Sequence, residues 1–196
     1  MGVNKPFKDL AMGLAVHGIS SIRYDKRTYT YQNDIKEIPI EKEVIDDVSN
    51  IIKCVACHPE FQRKDVYLIG HSLGGMLLPK ITLLNPQVKG LVFMAANVSP
   101  LEDLFLKQYD YLFHLDGTLD EVEQKRLSQM KNQVRYLKDT LTISSTSDKL
   151  PFQIPSSCWL SLKNYNPTES VKKISVPMLF LQGEQDYQVT LEEFNS

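Results

Sequence analysis

Cysteine, tryptophan and long apolar runs are scarce in this sequence of 196 residues, and each scarcity excludes something. The three cysteines, Cys54, Cys57 and Cys158, are too few and too odd in number for a disulfide framework. No apolar run approaches the roughly 18 residues that a bilayer-spanning helix needs. There is no block of basic residues and no Lys/Arg-rich amphipathic helix, and the net charge is only -2. Neither nucleic acid nor a membrane surface is therefore an expected partner. The first residues, Met1-Gly2-Val3-Asn4-Lys5-Pro6, lack the apolar core of a signal peptide, which sets a cytoplasmic expectation. What remains, 42% apolar and 23% charged residues, is the composition of a globular chain large enough to bury a core.

Two of the cysteines lie in Cys54-Val55-Ala56-Cys57-His58, which has the C-x-x-C-H spacing of c-type haem attachment and half the spacing of a zinc site. Their surroundings argue against both. Val44, Ile45, Val48, Ile51, Ile52 and Val55 recur on one face of a helix that turns about 100° per residue. That rotation carries Cys54 and Cys57 away from the apolar face. No metal and no cofactor are expected; these are surface cysteines.

The rest of the chain alternates helices and apolar strands. Pro6 opens a helix whose apolar face is Phe7, Leu10, Ala11 and Leu14, and Gly18 ends it. Ile19–Tyr24 reads as a short strand, followed by a polar loop through Thr28-Tyr29-Thr30-Tyr31. An amphipathic helix over Glu41–Cys57 is closed by Pro59. The runs at 66–69, 90–96 and 177–181 are continuously apolar, as in strands covered on both faces. Helices between such strands imply βαβ units and a parallel sheet, an α/β fold. From Ser99 to Thr168 no buried strand is evident; Leu101–Leu115 and Leu119–Leu141 read as helices, followed by a Ser/Thr-rich loop. This is a helical insertion after the apolar strand at 90–96.

Gly70-His71-Ser72-Leu73-Gly74 lies between the strand at 66–69 and the helix start at Leu73-Gly74-Gly75-Met76. A G-x-S-x-G nucleophile elbow requires that strand–turn–helix context. Ser72 stands on a sharp turn with its hydroxyl clear of the backbone. Gly70 and Gly74 lack a Cβ and let strand and helix approach. The N–H of Leu73 then faces a developing oxyanion at the positive end of a helix. A serine hydroxyl needs a base, and the base needs an orienting acid. In this arrangement the order along the chain is serine, acid, histidine. Asp186 in Gly183-Glu184-Gln185-Asp186 follows the last apolar strand at the edge where such sheets bind ligands, with Glu184 second. All four histidines, His17, His58, His71 and His114, precede it. His17 reads as a helix C-cap, His58 as a loop residue beside Pro59, and His71 as part of the elbow; His114 in the inserted helices is the one that could reach over the site.

Several segments carry a family resemblance: Asn4-Lys5-Pro6-Phe7-Lys8-Asp9-Leu10-Ala11, Ile22-Arg23-Tyr24-Asp25-Lys26-Arg27, the elbow through Gly75, Pro100-Leu101-Glu102-Asp103, and Leu181-Gln182-Gly183-Glu184-Gln185-Asp186-Tyr187-Gln188-Val189. On these the sequence resembles a bacterial subgroup of the α/β-hydrolase superfamily, of serine-esterase or acyl-hydrolase type. The resemblance implies an α/β-hydrolase-like parallel sheet with a helical cap, Ser72 as nucleophile and Asp186 as triad acid. It makes Asp25 and Arg27 structural residues. It divides the chain into a first core part (1–98), a cap (99–168) and a last strand with the acid loop (169–196). It also exposes departures. The family's H-G-G-G-like oxyanion loop, which gives a second donor, is not found before the first helix, and the helix, strand and histidine that follow the acid are not found after Asp186. The chain is expected to be the central part of a longer hydrolase, with only the central strands of its sheet. Strand edges left open in such a sheet invite self-association.

Two functional readings stay open at this level. The first is hydrolysis of a carboxylic ester or related acyl substrate through an acyl-serine, with Phe105, Tyr109, Leu112 and Phe113 as candidate lining of the acyl pocket; a serine peptidase is its rival within the enzyme class. The second is a non-catalytic pseudo-hydrolase that binds a small apolar ligand or a partner chain.

Overall fold

In the computed structural model, which describes residues 4–31, 38–62 and 64–195, Pro6 takes the first position of helix α1 (Pro6–Val16). Its ring presets the helical φ where no N–H is required. Leu10, Ala11 and Leu14 are half-buried along one side, and Gly18 ends the helix at a φ of +74°. The stretch Ile19–Tyr24 is not the strand that its apolar pattern suggests. It is irregular and exposed and forms no strand among the described residues. A strand persists only where a neighbour takes up its N–H and C=O groups. The expected loop at 28–31 contains a one-turn helix, α2 (Arg27–Thr30). These elements belong to a compact unit, Met1–Ile35, and the remaining residues, Lys36–Ser196, form a second.

The second unit holds the sheet. A π-helical turn, Glu41–Ile45, runs directly into α3 (Asp46–Cys57), so the amphipathic pattern over 41–57 forms as one continuous helical stretch. Next come β1 (Val66–His71), α4 (Leu73–Leu84) and β2 (Val88–Met94). After four further helices, β3 (Met178–Leu181) completes a three-stranded sheet of order β1-β2-β3 among the described residues. Both pairings are parallel, and at the carboxyl ends His71 is level with Met94 and Met94 with Leu181. The α/β class expected from the alternating pattern is the class that forms.

Within this unit, one face of the sheet is covered and the other is not. Ile45 and Ile52 from the π-helical turn and α3, Leu77 and Ile81 from α4, and Leu91 and Phe93 from β2 share one core, with Leu68 and Met178 packed against it. On the opposite face Tyr67, Ile69, Leu179 and Leu181 are exposed. This corrects the expectation that the apolar strands are covered on both sides. A continuous apolar run fits two-sided burial only where helices lie on both faces, and β1 and β3 carry their core only on one.

Between β2 and β3 lie α5 (Leu101–Phe113), α6 (Glu121–Thr140), α7 (Ser156–Leu162) and α8 (Pro167–Val171), with no strand among the described residues. α6 starts in a reciprocal cap: Asp120 accepts from the Glu123 N–H at 2.7 Å, and Glu123 accepts from the Asp120 N–H at 3.1 Å. Leu137, Leu141, Leu150 and Trp159 form a second core within this segment. No helix of the described residues is long and apolar enough to cross a membrane.

Candidate active site

Ser72 joins β1 to α4, and its backbone is bent for the purpose. Its φ of 53° and ψ of -122° are rare for a residue with a Cβ. Such a conformation costs about 1–3 kcal/mol and persists only where the surroundings hold it. Two hydrogen bonds do so: the Ser72 N–H donates to the Met94 carbonyl at 3.0 Å, and its carbonyl accepts from the Met76 N–H at 2.9 Å. Ser72 is thereby fixed to the end of β2 on one side and to the first turn of α4 on the other. Leu73 is the first residue of α4, so its N–H is among those that the helix itself leaves without an acceptor.

The glycines divide differently from the simple motif. A Cβ on Gly70 would lie 2.6 Å from the Gly74 carbonyl oxygen, and one on Gly75 would lie 2.6 Å from the Ala96 Cβ. A Cβ on Gly74 would meet nothing within 4 Å. The close approach of strand and helix therefore depends on Gly70 and Gly75, and Gly74 is not needed for it. The motif names Gly74 because it is two residues from the serine. The contact that matters is made with Ala96, beyond β2, and no local spacing reveals it.

Asp186 lies at the same carboxyl edge. The step that joins Ser72 to Met94 is repeated one strand on, where the Ala95 N–H donates to the Leu181 carbonyl at 2.9 Å. β2 thus separates the serine from the loop after β3. With strands about 4.8 Å apart, the two sites are roughly 10 Å apart backbone to backbone. Asp186 is half-buried and Glu184 exposed. Asp186 Oδ1 accepts from the N–H groups of Gln188 at 2.8 Å and Val189 at 3.2 Å. This is the turn-holding pattern common to aspartates, and it fixes one carboxylate oxygen. Gln182 Nε2 closes the loop onto the Val189 carbonyl at 2.6 Å.

One residue that holds this region has no place in the sequence reading. Glu193, in the short helix α9 (Leu191–Phe194), is only 3% exposed, yet it carries a carboxylate. It accepts from the Val98 N–H at 2.9 Å, from the Ser99 N–H and from the Ser99 hydroxyl at 2.7 Å, with Lys107 Nζ 3.7 Å away. Burial alone would raise its pKa. The hydrogen bonds from Ser99 and Val98, with the charge of Lys107, outweigh that and hold it below the usual carboxylate value. Helix α5 also grips the acid loop, through Gln108 Nε2 on the Gln188 carbonyl at 3.0 Å and through stacked Tyr111 and Tyr187 rings 5.3 Å apart. Thr190-Leu191-Glu192-Glu193 does have the spacing of a capping box. Its Glu193, however, turns to the loop after β2.

The histidines are scattered. His17 caps α1. The His58 ring lies 5.1 Å from that of Phe61 and accepts from the Glu60 N–H at 3.4 Å. His114 Nδ1 lies 2.7 Å from the Asp110 carbonyl oxygen, one turn back along its own helix. His71 is half-buried at the end of β1, beside the serine. Cys54 and Cys57 are exposed on α3. No three His, Cys, Asp or Glu side chains gather as a metal site among the described residues. Of the residues expected to line an acyl pocket, Phe105 packs on Phe152 at 4.5 Å and Tyr109 on Phe113 at 5.2 Å, while Leu112 is exposed.

Residues 5–193 match the family model described as serine aminopeptidase, S33. The chain is 34% identical over 193 residues to esterase EstD of Thermotoga maritima. That match takes in 97% of this chain but only 43% of the relative, so the chain spans less than half the length of the curated relative it matches. Among solved structures, it is similar to a Paleococcus ferrophilus monoacylglycerol lipase, with 19% identity, a TM-score of 0.40 and coverage of 78% of this chain and 59% of that one. It is also similar to a lipase-esterase related protein of Clostridium acetobutylicum, with 17% identity, a TM-score of 0.41 and coverage of 89% and 63%.

Proposed function

Because the chain belongs to the serine aminopeptidase S33 family of α/β hydrolases, we propose that it carries the nucleophile and acid of an enzyme that hydrolyses carboxylic esters through an acyl-serine. The observation that carries this reading is the conformation of Ser72, held at positive φ between a parallel strand and a helix N-terminus. The resemblance to an esterase of 34% identity favours an ester over a peptide bond.

The steps follow from the placement of the groups. Ser72 Oγ attacks the ester carbonyl carbon while a base takes its proton, and the carbonyl oxygen becomes an oxyanion at the Leu73 N–H. The intermediate collapses, the C–O bond to the alcohol breaks, and the base returns the proton to the alcohol. Water then repeats the sequence on the acyl-serine and releases the acid. Asp186 orients the base and stabilises its charged form. The chain spans 43% of the curated relative, and we assign the base and the second oxyanion donor to the counterpart of the part of that relative which it does not match. The helices between β2 and β3, residues 99–168, then act as the cap over the site, and residues 1–98 and 169–196 as the core.

Loss of the histidine from a serine triad lowers kcat by about 10⁶-fold. The chain alone is therefore expected to turn over a short-chain p-nitrophenyl ester no faster than Ser72→Ala. Rapid Ser72-dependent turnover would show that a histidine of this chain serves as base. Supplying imidazole in solution is expected to restore a Ser72-dependent fraction of turnover. A matching p-nitroanilide, expected to be inert, separates esterase from peptidase.

A further inference from the structure

The Cys54-Val55-Ala56-Cys57 segment takes no part in the serine chemistry, and the fold gives it a definite arrangement. Both cysteines fall in the last turn of α3, which ends at Cys57. Both are exposed, and neither is in a disulfide. The apolar side of the same helix faces the core, where Ile52 is 2% exposed. Packing therefore holds the helix while its outer side carries the two thiols. Residues three apart on a helix are neighbours, whereas residues two apart do not face each other. A rise of about 1.5 Å and a turn of about 100° per residue put the two Cα atoms about 5 Å apart. Their Cβ atoms are then about 5–6 Å apart.

That separation decides what the pair can hold. A disulfide draws its Cβ atoms to roughly 3.5–4.5 Å, so direct S–S closure has to deform the turn. A single atom between the sulfurs removes the mismatch. With bonds of about 2.3 Å, the length of a zinc–thiolate bond, it keeps the sulfurs roughly 3.5 Å apart instead of about 2.05 Å. The ligand must also be satisfied by two sulfurs, since no three His, Cys, Asp or Glu side chains gather as a metal site among the described residues. The four ligands of a structural zinc site are not met. A trivalent arsenical that carries one organic group has two valences left, and soft centres favour thiolates.

We propose that Cys54 and Cys57 form a dithiol site that captures one organoarsenic(III) group across the last turn of α3. With phenylarsine oxide, two As–S bonds form and the bond from arsenic to oxygen breaks. The oxygen leaves as water with both thiol protons, and arsenic stays trivalent. The inference does not depend on whether the chain hydrolyses esters.

The test is incubation of the chain with one equivalent of phenylarsine oxide in excess glutathione, followed by intact and peptide mass spectrometry. One adduct per chain is expected, on the peptide that contains both Cys54 and Cys57, and 2,3-dimercaptopropanol should remove it. Cys54→Ser and Cys57→Ser should each hold the arsenical about 10²-fold more weakly, because the second As–S bond no longer closes within one molecule. Cys158→Ser should bind as wild type does. The double variant Ala56→Cys with Cys57→Ala keeps two thiols on the helix but sets them two residues apart. It should lose the glutathione-resistant adduct at unchanged far-UV circular dichroism. Displacement of the arsenical from wild type by glutathione would overturn the assignment. So would equal retention in either single variant or in the double variant, or loss of the adduct in Cys158→Ser.

Discussion

A methyl group on Gly75 would press to 2.6 Å against the Ala96 Cβ, whereas one on Gly74, the preceding residue of the same helix, would meet open space. The two alanine variants should therefore move stability in opposite directions. Gly75→Ala should destabilise by about 1–3 kcal/mol through overpacking. Gly74→Ala should stabilise by about 0.5–1 kcal/mol, because glycine is a poor helix former and nothing opposes the new methyl. Thermal unfolding of both checks this, at roughly 2–4 °C per kcal/mol for a chain of this size. The serine and its strand–turn–helix setting were legible in Gly70-His71-Ser72-Leu73-Gly74, since the turn is made by adjacent residues. Which glycine is sterically required was not, since Ala96 is brought to Gly75 only when β2 lines up beside β1. The place of Asp186 in the loop after β3 was legible for a similar local reason, because that loop follows an apolar run.

At the level of elements, the carboxyl edge of the sheet is held together by Glu193. It ties α9 to the loop after β2, while the acid loop runs between β3 and α9. Removing its charge leaves buried N–H groups with a weaker acceptor or none. Glu193→Gln should cost about 1–3 kcal/mol near neutral pH. The dependence on pH has a definite sign. The folded carboxyl titrates below its unfolded value, so its contribution is complete above the unfolded pKa and is lost as pH falls through the folded one. The difference in stability between wild type and Glu193→Gln should thus shrink as the pH falls below the ordinary glutamate range. Urea unfolding at several pH values measures it. A difference that grows on acidification would contradict the role given to the charge. Sequence pattern could not supply this residue, because its partners, Val98 and Ser99, are some 95 positions earlier in the chain. The helices at 6–16, 41–57, 101–113 and 121–140 were legible from 3.6-residue periodicity and caps. The stretch 19–24 was misread because an apolar alternation reports which side chains could pack, and a strand also needs a backbone neighbour.

At the largest scale, the sheet of the second unit has three strands, two of them outer, among the described residues, and exposes Tyr67, Ile69, Leu179 and Leu181 on one face. Open edges and apolar faces of this kind drive association between chains. The chain is expected to self-associate with rising concentration in light scattering, and Ile69→Lys with Leu179→Lys should shift the distribution toward the monomer. Identical scattering of the double variant and wild type would remove the sheet face from the explanation. The fold class was legible from the alternation of helices and apolar runs. The bare sheet face was not, because an apolar run does not say which of its two sides is covered.

The assignment of Ser72 as nucleophile is tested most directly by mass spectrometry of the chain after exposure to a fluorophosphonate, with imidazole supplied as base. A single adduct on the peptide that contains Ser72, absent in Ser72→Ala, is the result expected. No adduct under any concentration of imidazole, or an adduct that survives in Ser72→Ala, would contradict it.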